Sequence, residues 1–120
     1  MRLAILHETY AVCKLQDLRS IRLDGEFASL MVTGDEISLV CPEMSAPQNA
    51  QAEGGWRAMR VEGTLDFGMV GVISKITGVL AEEDISVFVL STYDTDYVLV
   101  KQDTLSSAVE ALEAAGYTVN

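Results

Sequence analysis

The chain has 120 residues, 49% of them hydrophobic, with a formal net charge of −10 and an isoelectric point near 4.3. Its length fits one domain or two very small ones, and its apolar content predicts a packed core rather than disorder. The strong negative charge argues against proteins that bind nucleic acid through a basic surface, and no apolar run reaches the about 18 residues expected of a membrane span.

Four short apolar runs in the first half are bounded by polar and turn-forming residues, which is typical of β-strands. They are residues 3–6, 11–15, 27–32 and 37–41. The last two flank the sequence TGDE, whose glycine suits a hairpin connection. Both prolines of the chain fall in the next stretch, which contains PQNAQAEGG and is predicted to be a linker with a short helical turn. Composition therefore predicts a boundary between residues 1–54 and residues 55–120.

The second half alternates strand and helix patterns. Apolar residues recur every three or four positions along residues 69–83 and again from Leu105 to Leu112, so two helices are predicted, the second ending at Gly116. Strands are predicted around them, at residues 56–62, 85–92, 97–101 and 118–119. The strand at 85–92 has apolar residues in both registers, which predicts burial on two faces. The order βαββαβ, with right-handed crossovers, predicts an α+β, ferredoxin-like fold in which an antiparallel sheet carries both helices on one face.

Two cysteines and one histidine bear on the compartment and on metal binding. Cys13 and Cys41 lie inside apolar runs, which favours buried, reduced thiols. Together with His7 they supply one ligand fewer than the usual zinc set and lack its spacing, so no metal site and no cofactor are predicted. The N-terminal stretch turns polar too early for a secretory signal, and a cytoplasmic location is expected.

Three motifs in the second half together resemble the ACT domain. They are VEGxLDFGxxGVI from Val61, LAEEDISV from Leu80 and STYDTDY from Ser91. Within the family they look like the branch shared by the CASTOR arginine sensors and small bacterial proteins related to aspartate-kinase regulatory regions. The likeness covers residues 56–119, and the hairpin VTGDEISLV resembles part of a first ACT unit. The resemblance implies a degenerate, mostly β ACT-like half at 1–54, followed by an ACT domain at 55–120.

This resemblance implies a regulatory or sensor protein without catalytic activity. Such a protein binds a small ligand, usually an amino acid, at a junction between ACT units, and is expected to be a homodimer that acts on a protein partner. Two alternatives stay open from the residues themselves. One is a structural dimerisation module without a ligand. The other is an enzyme, with Cys13 or Cys41 activated by His7 or with a metal held by Asp94 and Asp96.

The segment LDFGMVG is the predicted ligand loop, because it opens onto the start of the first predicted helix. Unpaired backbone N–H groups and the positive end of the helix dipole favour a carboxylate there, on the amides from Gly68 to Gly71. The ligand ammonium would meet Asp66 or Asp96, and the strand ending at Thr92 is expected to lie beside the loop. The predicted ligand-binding residues are Asp66, Phe67, Gly68, Met69, Val70, Gly71, Thr92, Tyr93, Asp96 and Ser38.

An ordinary structural interpretation exists for each part of this site. Asp66 suits a helix N-cap and Gly68 suits a tight turn, while Ser91, Asp94 and Thr95 are assigned to the hairpin turn. The acidic charge and the likeness to arginine sensors favour a basic amino acid, whereas the likeness to aspartate kinase points to lysine, threonine or a related end product. The identity of the ligand therefore stays open.

Overall fold

The computed structural model of the protein describes residues 1–63 and 69–120. The elements in these ranges are β1 (Arg2–Leu15), β2 (Ser29–Val32), β3 (Ile37–Pro42), β4 (Gln51–Val61), α1 (Val72–Glu82), β5 (Phe88–Ser91), β6 (Asp96–Lys101), α2 (Leu105–Ala114) and β7 (Thr118–Val119). Short 3-10 turns lie at Glu43–Ser45 and Gln102–Thr104. Neither helix in the described part of the chain has the length and apolar character needed to cross a membrane.

Two compact units make up the described chain. The first, here called the helical unit, combines Met1–Leu6 with Arg57–Asn120, and the second, the strand unit, is His7–Trp56. β1 and β4 each contribute residues to both units, so no single boundary in the sequence separates the units. The predicted division into an ACT-like half at 1–54 and an ACT domain at 55–120 stays a prediction.

The helical unit has the predicted βαββαβ order from β4 to β7. Its strands lie in the order β7-β1-β4-β6-β5, with β7 parallel to β1 and β5 antiparallel to β6. The ferredoxin-like α+β fold is therefore confirmed, with one addition, because β1 takes the place beside β4 that the last strand would otherwise occupy. Backbone bonds fix it there, including one from the N–H of Glu62 to the carbonyl of Arg2 (2.9 Å).

An apolar cluster lies between the sheet and the helices of the helical unit and places both helices on one face. Ile76 and Leu80 of α1 belong to it together with Ala108 and Leu112 of α2. The sheet contributes Met59, Val61, Val98 and Val100. Because both helices present residues four apart to the same strand face, the predicted helical stripes are confirmed.

The ends of the two helices follow from glycines in the left-handed region. Gly71 has φ of +79° and is the N-cap of α1, so the helix begins at Val72 rather than at the predicted Met69. Gly116 has φ of +100° and follows α2; its N–H and that of Tyr117 donate to the carbonyls of Glu113 and Leu112 (both 3.0 Å). This pair of bonds is a Schellman motif, and the predicted role of Gly116 is confirmed.

The predicted burial of residues 85–92 on two faces is wrong. β5 covers only Phe88–Ser91 and lies at the end of the strand order, where it has one neighbour, β6. The side chain of Val89 is 36% exposed. Apolar residues in both registers of β5 therefore do not indicate burial on two faces. The position of a strand in the tertiary structure, rather than its composition, decides what covers each face.

The strand unit contains the predicted hairpin of β2 and β3, in the order β2-β3-β1. The N–H of Thr33 donates to the carbonyl of Glu36 (2.9 Å) and closes the turn between Val32 and Ile37. The strands predicted at residues 3–6 and 11–15 form one continuous strand, β1. The core of the strand unit joins β1 and β3 through Ala11, Cys13, Leu15, Leu39 and Cys41.

Burial controls the acidity of the two thiols in this core. Cys13 is 2% exposed and Cys41 is fully buried. Desolvation raises the pKa of both thiols, and together with the neighbouring Cys13 it raises that of Cys41 from its ordinary 9.0 to about 12. Both thiols therefore stay protonated at neutral pH, unlike a nucleophilic cysteine, whose pKa is lowered.

Truncation of Leu80 tests the packing of the helical unit. Leu80 is fully buried, so Leu80→Ala should lower the free energy of unfolding by about 2–5 kcal/mol through lost burial and a residual cavity, as measured by urea denaturation. Val70 is 90% exposed, and Val70→Ala, the control, should change it by less than about 0.5 kcal/mol. A Leu80→Ala variant as stable as the wild type would contradict the assignment of this core.

The free energy of unfolding should also fall as the pH rises from 9.0 towards about 12. In that window the Cys41 thiol keeps its proton in the folded state and loses it in the unfolded state, so rising pH favours unfolding; below pH 9.0 both states hold the proton and the contribution is constant. Urea denaturation should show a steeper decline for the wild type than for Cys41→Ala. Equal slopes would contradict the assignment.

Candidate functional site

The turn between β5 and β6 is closed by one of its own side chains. The N–H of Thr92 donates to the carbonyl of Thr95 (2.8 Å). The Oγ1 of Thr92 accepts from the N–H of Thr95 (3.2 Å) and donates to the same Thr95 carbonyl (3.1 Å). Thr92, predicted to face a ligand, thus uses its hydroxyl to hold the turn, as threonine often does in such turns.

A second threonine anchors this turn to β4. Thr95 is 9% exposed, and its Oγ1 donates to the carbonyl of Val61, the last residue of β4 (2.6 Å). A hydroxyl buried in an apolar environment needs such a partner, because leaving it unpaired is costly. The bond therefore fixes the polar turn beside the carboxyl end of β4.

Asp96 is positioned by its partner across the hairpin. Ser91 and Asp96 are opposite one another in the β5–β6 register, and the Oγ of Ser91 donates to Oδ1 of Asp96 (2.6 Å). No described residue donates a hydrogen bond to Oδ2 of Asp96. The carboxylate is thus held in place through one oxygen and retains acceptor capacity on the other.

The start of α1 supplies hydrogen-bond donors. The first intrahelical bond described runs from the N–H of Lys75 to the carbonyl of Gly71 (3.0 Å), and no side chain of the described residues caps the helix. The preceding amides, of Val72, Ile73 and Ser74, belong to the first turn and have no acceptor within the helix. With the positive end of the dipole, they form a place where an anion is stabilised.

These two features share one cavity of about 380 Å³, here called the turn–helix cavity. Its described lining consists of Met69, Gly71, Val72, Ile73, Ser74 and residues 91–96. It combines the donors of α1 with the carboxylates of Asp94 and Asp96, while Tyr93 lies at its rim with 81% of its surface exposed. An amine and a carboxylate on one small molecule match this arrangement.

Five predicted site residues line the turn–helix cavity: Met69, Gly71, Thr92, Tyr93 and Asp96. Val70 is 90% exposed and lines a neighbouring cavity with Lys75 and Tyr117. Ser38 belongs to β3 in the strand unit and lines a cavity there. Asp66, Phe67 and Gly68 lie outside the described residues, so their predicted roles stay predictions.

Sequence reasoning did not name the first turn of α1, Val72, Ile73 and Ser74, as part of the site. The signal that marks it is Gly71, whose left-handed backbone ends the loop and starts the helix. An N-cap at Gly71 places the amides without an intrahelical acceptor at residues 72–74, directly after the predicted stretch from Gly68 to Gly71. Among the described residues no group of three or more histidine, cysteine or carboxylate side chains is arranged to hold a metal ion.

Comparison with known proteins identifies the family. A family model described as the ACT domain matches residues 51–114, more than half of the chain. The protein belongs to the ACT domain family. This ACT protein is also similar to the human cytosolic arginine sensor for mTORC1 subunit 1, with 39% identity over 59 residues. That match covers 48% of this chain but only 18% of the human protein.

Solved structures agree with the ACT fold. The protein Atu0741 of Agrobacterium tumefaciens is 29% identical, with a TM-score of 0.91 over 99% of this chain and 91% of the other. The ligand-free regulatory subunit of aspartate kinase from Thermus thermophilus is 10% identical, with a TM-score of 0.66 over 95% of this chain and 96% of the other. The second likeness is one of fold alone.

Replacement of Thr95 tests the anchor of the turn. Thr95→Val keeps the shape but leaves the Val61 carbonyl without its side-chain donor, so the free energy of unfolding should fall by about 1–3 kcal/mol in urea denaturation. Thr95→Ser keeps the hydroxyl and should retain most of that stability. If valine and serine gave the same loss, the hydrogen bond would not be what stabilises the turn.

Proposed function

We propose that this ACT protein is a non-catalytic sensor that binds an amino acid in the turn–helix cavity and passes its occupancy to a protein partner. One observation carries the proposal: the first turn of α1, whose amides have no acceptor within the helix, and the carboxylate of Asp96 line the same cavity. Membership of the ACT family and the similarity to an arginine sensor support it.

The carboxylate of the ligand would lie at the start of α1. The amides of Val72, Ile73 and Ser74 provide donors there, and Gly71 brings the backbone close without a side chain of its own. Such charge-assisted bonds are shorter and stronger than bonds between neutral groups. The predicted loop residues Asp66, Phe67 and Gly68 are proposed to complete this end of the site.

The ammonium of the ligand would meet the carboxylates of the β5–β6 turn. Asp96 is the proposed partner, because Ser91 orients its Oδ1 and leaves Oδ2 available for a charged donor. Asp94 lines the same cavity and adds negative charge. Thr92 and Thr95 hold the turn in place rather than contact the ligand directly.

Arginine is the first ligand to test. A net charge of −10 attracts cationic ligands over a distance, although salt screens this attraction. The human relative is an arginine sensor, and the matched segment covers part of its length. Lysine and threonine follow, because the fold is shared with the regulatory subunit of an aspartate kinase.

A second ACT unit would complete the site. The turn–helix cavity lies open at the surface around the exposed Tyr93, and a homodimer in the cytoplasm is the proposed form in which a neighbouring unit closes it. The ligand then acts on the protein partner by favouring one arrangement of the ACT units over another. The size of this effect is set by the difference between the ligand's affinities for the two arrangements.

Neutralisation of Asp96 tests the site. Isothermal titration of the wild type with arginine, lysine and threonine should identify a ligand that also raises the melting temperature. Asp96→Asn keeps the acceptor for Ser91 but removes the charge, so affinity should fall by about tenfold or more. Asp35→Asn, in the turn between β2 and β3, makes the same charge change in the other hairpin and should leave affinity within about twofold.

The outcomes separate the two candidate functions. Stabilisation by none of the amino acids at millimolar concentration would contradict the sensor. A constant dimer mass in light scattering, with and without every amino acid, would then support a structural dimerisation module. Equal effects of Asp96→Asn and Asp35→Asn on affinity would support an amino-acid sensor whose site lies elsewhere.

A further inference from the structure

The outer side of β2, here called the β2 edge, faces no neighbouring strand. β2 is the first strand in the order β2-β3-β1, and among the described residues only β3 pairs with it. Its side chains Leu30, Met31 and Val32 are 39%, 59% and 58% exposed. Edge strands of native proteins often carry charges or prolines that prevent pairing with another chain, and residues 27–32 contain neither. The β2 edge therefore has the composition of a pairing surface.

The hairpin register decides which backbone groups point outward from β2. The N–H of Thr33 donates to the carbonyl of Glu36, so these two residues form a hydrogen-bonded pair. Because hydrogen-bonded pairs alternate along an antiparallel ladder, Met31 also bonds to its neighbour on β3, whereas the N–H and C=O groups of Leu30 and Val32 point away from β3. The β2 edge therefore presents donors and acceptors at residues 30 and 32.

Two of the exposed side chains continue the apolar face of the strand unit. Opposite residues of neighbouring strands share a face, and Leu30 is opposite Leu39, which is in turn opposite Cys13. Cys13 and Leu39 are buried, but Leu30 at the end of this row is exposed. Val32 ends the adjacent row, next to Ile37. The apolar face that forms the core of the strand unit thus extends to β2, where the described residues leave it largely uncovered.

We propose that a second copy of this chain pairs with the β2 edge, in an antiparallel arrangement about a two-fold axis through Met31. In that register Leu30 of each copy is opposite Val32 of the other, and their outward backbone groups exchange hydrogen bonds in both directions. Met31 is opposite its own counterpart on the other face. The β2 edge belongs to the strand unit and the turn–helix cavity to the helical unit, so this inference does not rest on the proposed amino-acid site.

The match of the β2 edge with itself favours a second copy over a strand of another protein. A two-fold axis requires a surface that is complementary to itself, and outward groups at residues 30 and 32 meet this requirement in one antiparallel register. Two copies with a net charge of −10 repel one another, and the uncharged β2 edge lets them approach without like charges directly opposite.

The proposed contact is small. It involves three exposed apolar side chains of each chain, compared with about 20–30 residues a side in a standard protein interface. Area of this size is typical of weak association. We therefore expect a dimer that dissociates on dilution through the micromolar range.

Sedimentation equilibrium and amide exchange of the wild type test the pairing. The average mass should rise with concentration from the 13.0 kDa of one chain towards twice that value. In the monomer the amides of Leu30 and Val32 should exchange faster than that of Met31, and in the dimer they should slow by at least about fivefold. A monomer at concentrations up to about 1 mM, or a dimer in which these two amides exchange as in the monomer, would overturn the proposal.

Charges at Met31 test the two-fold axis. In Met31→Lys and in Met31→Glu the axis places like charges opposite one another, so the dissociation constant of each variant should rise at least about tenfold. An equimolar mixture of the two variants should form dimers again, because the facing charges then have opposite signs. Circular dichroism checks that both variants fold. A mixture that associates no better than either folded variant alone would contradict pairing about Met31.

Val89→Lys is the matched control. Val89 is 36% exposed and lies in β5, the edge strand at the other end of the strand order. The substitution should leave the dissociation constant within about twofold of the wild type. A loss of dimers in Val89→Lys but not in the Met31 variants would place the interface on β5 and overturn the proposal. Protection of the Leu30 and Val32 amides without a rise in mass would assign the edge to another occupant, such as an extended peptide, and would also overturn it.

Discussion

The candidate site depends on one buried hydrogen bond, from the hydroxyl of Thr95 to the carbonyl of Val61. β5 and β6 meet at the edge of the helical unit, where the four-residue turn between them would otherwise be held only by hydrogen bonds within the hairpin. The bond ties that turn to the end of β4. Because α1 packs on the same strands, the fixed turn and the start of α1 line one cavity.

The chemistry of the site comes from groups that the fold leaves incompletely paired. At the start of α1, Gly71 adopts a left-handed backbone and offers no side chain to cap the amides that follow. On the turn, Ser91 satisfies one oxygen of Asp96 and orients the carboxylate. Donors on one wall and acceptors on the other fit a zwitterion better than a purely apolar or purely anionic ligand.

The strand unit has a different organisation, with a core that joins two strands and no α-helix in its described residues. That core places Cys13 against Cys41, and the same burial that packs them also raises their pKa. Packing and thiol acidity are therefore coupled in this unit. Both thiols stay protonated at neutral pH because burial disfavours the charged thiolate.

The sequence by itself determined the local elements. Helical periodicity and the position of Gly116 predicted α2, the TGDE turn predicted the hairpin of β2 and β3, and the order of elements predicted the ferredoxin-like fold. Only the tertiary structure decided the pairing of β1 with β7, the exposure of Val89, and the hydrogen bonds that the Thr92 hydroxyl makes within the turn. The physical reason is the range of the interactions. Periodicity and turn chemistry act between near neighbours in the chain, whereas strand order and hydrogen-bond partners are set by residues far apart in sequence.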